Sequence, residues 1–225
     1  MLRKSVSEII GTFALVFCGT GAIIIDNVTK GGVSHAGVAI TFGLIVMAMI
    51  YGLGDISGAH LNPAVSIAFT LAGRLPLKSL GVYIVSEIAG AFLASLTLKL
   101  LFPTDELLGT TLPAGAAWQS FVLELLLTFF LMLVIMGVAT GPKEQGLFAG
   151  IAIGSVILLE AMFAGPISGA SMNPARSLAP AIVSGHVGNL WVYLTAPVLG
   201  AALAIPIWKF LNVKNENSTV QRHPR

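Results

Sequence analysis

Read by its apolar and polar positions, the chain falls into six long apolar segments, at approximately 6–25, 36–54, 79–102, 117–139, 146–164 and 189–211. Each is close to the roughly 20 residues that a helix needs to cross a bilayer. Short polar or Gly/Pro-rich stretches separate them. Two connections, 55–75 and 165–188, are instead long, mostly apolar and poor in charge, and each holds Asn-Pro-Ala in its middle. Asn is a preferred N-cap, and Pro fits the first helical turn, where its missing N–H costs nothing. Asn62-Pro63-Ala64 and Asn173-Pro174-Ala175 are therefore read as helix starts. The helices that follow, Ala64–Gly73 and Ala175–Ser184, are too short to span, so each is expected to stop at the midplane. The expected fold is an all-α membrane protein with six transmembrane helices and two re-entrant half-helices.

The chain also repeats itself. Ile56-Ser57-Gly58-Ala59-His60-Leu61-Asn62-Pro63-Ala64 aligns with Ile167-Ser168-Gly169-Ala170-Ser171-Met172-Asn173-Pro174-Ala175, with seven of nine pairs identical at an offset of 111 (173 minus 62). Glu8, Thr12 and Phe13 match Glu124, Thr128 and Phe129; Val82-Tyr83 and Gly90-Ala91 match Val192-Tyr193 and Gly200-Ala201. One membrane domain over 1–211 is expected, with a first copy at about 4–102, a second at about 117–211 and a cytoplasmic tail at 212–225. Each copy holds three spans, an odd number, so the second enters the membrane from the opposite face as an inverted repeat. The start, Met1-Leu2-Arg3-Lys4 before an apolar run, has the look of a secretory signal. Its match to the second copy makes it the first span instead.

Composition supplies the solvent. Of 225 residues 56% are hydrophobic and 10% charged, with a mean hydropathy of +0.90. A soluble chain carries about 25% charged residues. Lipid is therefore the partner, and a net charge of +2 gives no reason to expect nucleic acid. Cys18 is the single cysteine, which excludes an intrachain disulfide and a thiolate metal cluster; no cofactor and no metal is expected. Arg3, Lys4, Arg74, Lys78, Lys143, Lys209, Lys214, Arg222 and Arg225 fall on one side of the spans. Lys30, Lys99 and Arg176 fall on the other, so both termini are expected in the cytoplasm. The glycosylation pattern Asn217-Ser218-Thr219 lies in the tail on that same side.

Two helix N-termini meeting at the midplane offer positive dipole ends, each worth about half a charge. That field repels cations and protons. The Asn62 and Asn173 amides can donate to the oxygen of a passing neutral molecule. Unpaired carbonyls of Gly58, Ala59, His60 and Leu61, and of Gly169, Ala170, Ser171 and Met172, are expected to supply acceptors along the same path. Irregular backbone at this depth is tolerated only where it is buried in protein or lines a watery cavity.

These motifs, with Ser7-Glu8-Ile9-Ile10-Gly11-Thr12-Phe13 and the run through Arg176-Ser177, resemble those of the aquaporin, or major intrinsic protein, family across roughly residues 4–211. The resemblance implies a passive channel, assembled as a homotetramer with one pore per subunit, in a plasma or inner membrane. Arg176 corresponds to the arginine of the family's outer constriction. Distance from the asparagines carries the other constriction positions to Phe42, Ala161 and Ala170. Strict water channels have His at the position of Ala161, and glycerol facilitators have two aromatics; one aromatic and two alanines imply a wider, less polar opening. Ser177 and Ala181 follow the water-channel pattern, whereas Tyr193-Leu194 lacks its second aromatic. The run Ala164-Gly165-Pro166-Ile167-Ser168-Gly169-Ala170-Ser171-Met172-Asn173-Pro174 is most similar to the nodulin-26-like subgroup. That subgroup's range implies water, glycerol and neutral metalloid hydroxides as solutes.

Four carboxylates fall in the spans, where each needs a partner or a proton. By the resemblance, Glu8 and Glu124 accept from the backbone of the re-entrant segments. Glu87 is expected to be protonated or paired at a helix interface. Glu160, next to Ala161, either lines the pore or faces a neighbouring helix, and the roughly 100° between adjacent helical residues favours the second. His60 is expected to contribute its carbonyl rather than its ring, and His35 and His186 to lie on the outer surface. A water-selective channel is the main alternative. A secondary transporter also uses inverted repeats and broken helices, and would need coupling carboxylates such as Glu87 or Glu160. Short extramembrane loops leave little for an adhesive role, and no Ser-His pair, metal cluster or phosphate loop points to an enzyme.

Overall fold

The computed structural model describes residues 1–139 and 147–212. The helices in order are α1 (Leu2–Val28), α2 (Ser34–Ser57), α3 (Pro63–Leu71), α4 (Leu77–Leu101), α5 (Ala117–Ala139), α6 (Ala149–Ser168), α7 (Pro174–Ser184) and α8 (Leu190–Leu211). Six of them, all but α3 and α7, are 20 to 27 residues long and apolar enough to cross a membrane. At 1.5 Å per residue they are about 30–40 Å long, whereas the 9 residues of α3 and 11 of α7 cannot span. This is an integral, multi-pass membrane protein. Lys143, Lys214, Arg222, Arg225 and Asn217-Ser218-Thr219 lie outside the described residues.

The packing follows the repeat. Helix α1 lies against α4 and α5 against α8, while α2 and α6 pair across the two copies. Each half-helix packs on the third span of the other copy, α3 on α8 and α7 on α4, which interlocks the halves. Glycines set the closest approaches. A Cβ on Gly90 would run into the Ile9 carbonyl, and one on Gly200 into that of Leu125. Gly43 and Gly154 face each other so closely that a Cβ on either would lie 2.6 Å from the other's carbonyl oxygen.

Two boundaries differ from the sequence reading. Helices α2 and α6 continue past 54 and 164 to Ser57 and Ser168, where left-handed Gly58 (φ 93°) and Gly169 (φ 86°) end them. The Gly165-Pro166 pair looks like a break, yet the helix passes through it. Buried tyrosines secure both ends: the Tyr83 hydroxyl donates to the Ser57 carbonyl at 2.6 Å, and that of Tyr193 to the Ser168 carbonyl at 2.7 Å.

Because the α5–α8 contact depends on a missing side chain, Gly200→Val should destabilise the protein by about 1–3 kcal/mol or prevent folding. Gly81→Ala, with open space around it, should be neutral or slightly stabilising. Thermal unfolding of the two variants in detergent checks the contrast.

Candidate functional site

The site is built where the two half-helices meet. Asn62 and Asn173 are extended N-caps (φ −160° and −149°) followed by Pro at the first helical position. The Asn62 Oδ1 accepts from the Ala64 N–H at 2.9 Å; the Asn173 Oδ1 accepts from Ala175 at 3.0 Å and Arg176 at 3.3 Å. With the oxygens fixed in this way, both amide nitrogens point across the junction. The Asn62 Nδ2 donates to the Met172 carbonyl at 2.7 Å, and the Asn173 Nδ2 to the Leu61 carbonyl at 2.8 Å. An amide nitrogen carries two hydrogens, so each asparagine keeps one N–H beyond this crossed pair.

The crossed bonds correct one expectation. The Leu61 and Met172 carbonyls are not unpaired, because each accepts from the opposite asparagine. Those of Gly58, Ala59, His60, Gly169, Ala170 and Ser171 accept no hydrogen bond among the described residues. The conformation that exposes them is one L-residues rarely adopt: Ala59, Leu61, Ala170 and Met172 all have positive φ, from 40° to 55°. Buried carboxylates hold it in place. Glu8 accepts from the N–H of His60 (3.0 Å) and of Leu61 (2.7 Å). Glu124 accepts from Ser171 (2.9 Å) and Met172 (2.8 Å), and from the Ser168 hydroxyl (2.8 Å). With the N–H groups drawn to the carboxylates, the carbonyls on the other side of each irregular strand of backbone, 58–61 and 169–172, are left for the cavity.

A cavity of about 460 Å³ runs past this junction. Tyr51, Asp55, Leu147 and Ala149 line one end, and Phe42, Ala170 and Arg176 line the other, with Asn62 and Asn173 between. The thirteen helical steps of α2 from Phe42 to Asp55 (55 minus 42) correspond to about 20 Å. One wall is apolar at helical spacing: Val46 and Ile50 on α2, Leu131 and Ile135 on α5, Ile153 and Ile157 on α6. Within segments that are apolar all round these six positions do not stand out, although their i, i+4 spacing is the signal of a shared helix face.

Of the four residues expected at a constriction, Phe42, Ala170 and Arg176 line this cavity and Ala161 does not. Ala161 is buried one helical turn beyond Ile157, on the same face of α6. Arg176 is 1% exposed. Its guanidinium carbon lies 5.1 Å from the Phe42 ring centroid, its Nη1 donates to the Gly109 carbonyl at 2.8 Å, and its Nε has no partner among the described residues. The Gly109 tie was missed because the 102–116 connection reads as an ordinary loop. In fact it folds inward, with Leu108 buried against Ile24 and Leu98, and Thr111 donating to Ser177 at 2.7 Å.

Glu160 does not line the cavity, and its Oε2 is buried with no partner among the described residues. Glu87 accepts from the Ser66 hydroxyl at 2.6 Å, and that hydroxyl lies 2.8 Å from the His60 Nδ1. The His60 ring therefore does have a part, stacked on Phe69 at 4.5 Å, in a residue that lines the cavity.

Comparison with known proteins gives one consistent result. The family model for the major intrinsic protein matches residues 1–208. Aquaporin NIP1-1 of Zea mays is 47% identical over 216 residues, covering 96% of this chain and 77% of the relative. Nodulin-26 of Glycine max is 48% identical over 202 residues, covering 89% and 74%. The solved aquaglyceroporin of Plasmodium falciparum superposes with a TM-score of 0.81 at 27% identity, covering 92% of this chain and 95% of that one.

The carboxylate anchors yield a test. Glu124→Gln turns an amide group toward donors that need acceptors, at a cost of about 2 kcal/mol, or roughly 4–8 °C in unfolding midpoint. Thermal unfolding together with water flux checks this, and both should fall.

Proposed function

The chain belongs to the major intrinsic protein family, and from that premise we propose that its pore carries glycerol and neutral metalloid hydroxides as well as water. It is a passive channel for water and small solutes of the nodulin-26-like subgroup, a membership that fits a channel rather than an enzyme. The solute range rests on one observation: Phe42 is the aromatic beside Arg176 in a cavity lining that it shares with a residue as small as Ala170. Ala161, on the helix that faces Phe42, adds no bulk and no donor. Such an opening suits a solute wider than water that bears hydroxyls. Arg176 supplies donors for those oxygens and repels cations, and the Phe42 face gives the carbon backbone an apolar surface.

The remaining N–H of Asn62 and Asn173 and the carbonyls of the two strands would pass a hydroxyl from one partner to the next. Two half-helix N-termini at one point, each worth about half a positive charge, oppose protons and ions. Glu8 and Glu124 serve as anchors of the strands in this reading, with Glu87 completing the support of the first. The same reading has both termini in the cytoplasm, in a plasma or inner membrane, and four copies assembled with one pore each.

Stopped-flow light scattering on proteoliposomes, under water and glycerol gradients, tests the solute range. The parent protein should admit glycerol quickly. Ala161→His should slow glycerol about tenfold, equivalent to ~1.4 kcal/mol, while water flow persists. A parent that moves only water would return the chain to the water-selective reading.

A further inference from the structure

Helices α2 and α6, the second spans of the two copies, run antiparallel with Gly43 and Gly154 at their closest approach. Beyond that point, toward the start of α2, a side chain of α2 is laid onto α6. The His35 ring lies against Gly165, where a Cβ would come within 2.8 Å of its Cε1. The His35 Nε2 is 2.9 Å from the Met162 carbonyl. A carbonyl only accepts, so this nitrogen carries the hydrogen.

The choice of carbonyl has a physical reason. In a regular helix the oxygen of residue 162 takes the N–H of residue 166, and here that residue is Pro166, which has none. Helix α6 therefore holds an acceptor without a donor in its own backbone, and the imidazole of a neighbouring helix supplies the donor. Gly165 provides the room. The other end of α2 carries a weaker counterpart, with the Tyr51 ring against Gly150 and its hydroxyl 3.3 Å from the Leu147 carbonyl.

Met162 follows Ala161, and Phe42 lies two turns along α2 from His35. We propose that His35 is a positioning residue of the outer constriction: by satisfying the carbonyl that Pro166 leaves open, it fixes the separation of the helices that carry Phe42 and Ala161. The inference rests on the reading of those two residues as constriction residues. His35 itself need not touch the solute. It sets how far apart the walls stand.

The test compares the full chain with His35→Ala, His35→Gln, Pro166→Ala and the His35→Ala, Pro166→Ala double variant in proteoliposomes. The readout is the ratio of glycerol to water permeability, which does not depend on how much protein is incorporated. His35→Ala should raise the ratio by about threefold, and His35→Gln, which keeps a donor, should restore most of it. Pro166→Ala returns an N–H to residue 166, so in that background removal of His35 should have no effect. A ratio unmoved by His35→Ala overturns the proposal, and so does an equal shift in both backgrounds. If the parent passes water alone, the solute reading fails on that evidence. The positioning role is then decided by the same coupling, read in water permeability per incorporated protein.

Discussion

Backbone that ends in the middle of a membrane has no water to satisfy it, and two helices here start at that depth with their positive ends facing each other. The crossed pair, Asn62 to the Met172 carbonyl and Asn173 to the Leu61 carbonyl, makes that junction possible. Each asparagine caps its own helix with its oxygen and grips the other strand with its nitrogen. Everything nearby serves this arrangement. Glu8 and Glu124 hold the strands in positive-φ conformations that they would not keep alone. Tyr83 and Tyr193 fix the helix ends from which the strands depart.

Inverted symmetry builds each of these devices twice, so the functional asymmetry lies where the copies differ. At the repeat offset of 111, Arg176 corresponds to Val65, and both line the cavity. A charged donor faces one mouth and an aliphatic side chain the other. Ser171 corresponds to His60, and the serine pair Ser66 and Ser177 serves different partners: Glu87 and His60 in one copy, Thr111 and Ser171 in the other. A symmetric scaffold thus lines its cavity asymmetrically. The buried guanidinium is held by the Gly109 carbonyl and the Phe42 face.

Much of this was legible in the residues because the membrane leaves few choices. Apolar block length marked six spans, and the Asn-Pro-Ala in the middle of two further apolar stretches marked the half-helix starts to within a residue. What stayed hidden were contacts between residues distant in the chain. The crossed amides need the two strands side by side, which no local pattern reports. The 102–116 connection has no periodicity, yet its Gly109 carbonyl accepts from the buried Arg176 guanidinium. The continuation of α6 through Pro166 was missed because a proline without an N–H reads as a stop. Among the described residues His35, 131 residues away (166 minus 35), supplies the donor that turn lacks.

Solute moves through a standing pore here rather than by alternation between two states. The direct measurement is initial solute flux into proteoliposomes against concentration, with and without imposed proton and sodium gradients. A standing pore predicts flux that rises in proportion to the solute gradient and ignores both ion gradients. Saturating flux that accelerates with an ion gradient would contradict the account, and would make the buried carboxylates Glu87 and Glu160 coupling sites instead.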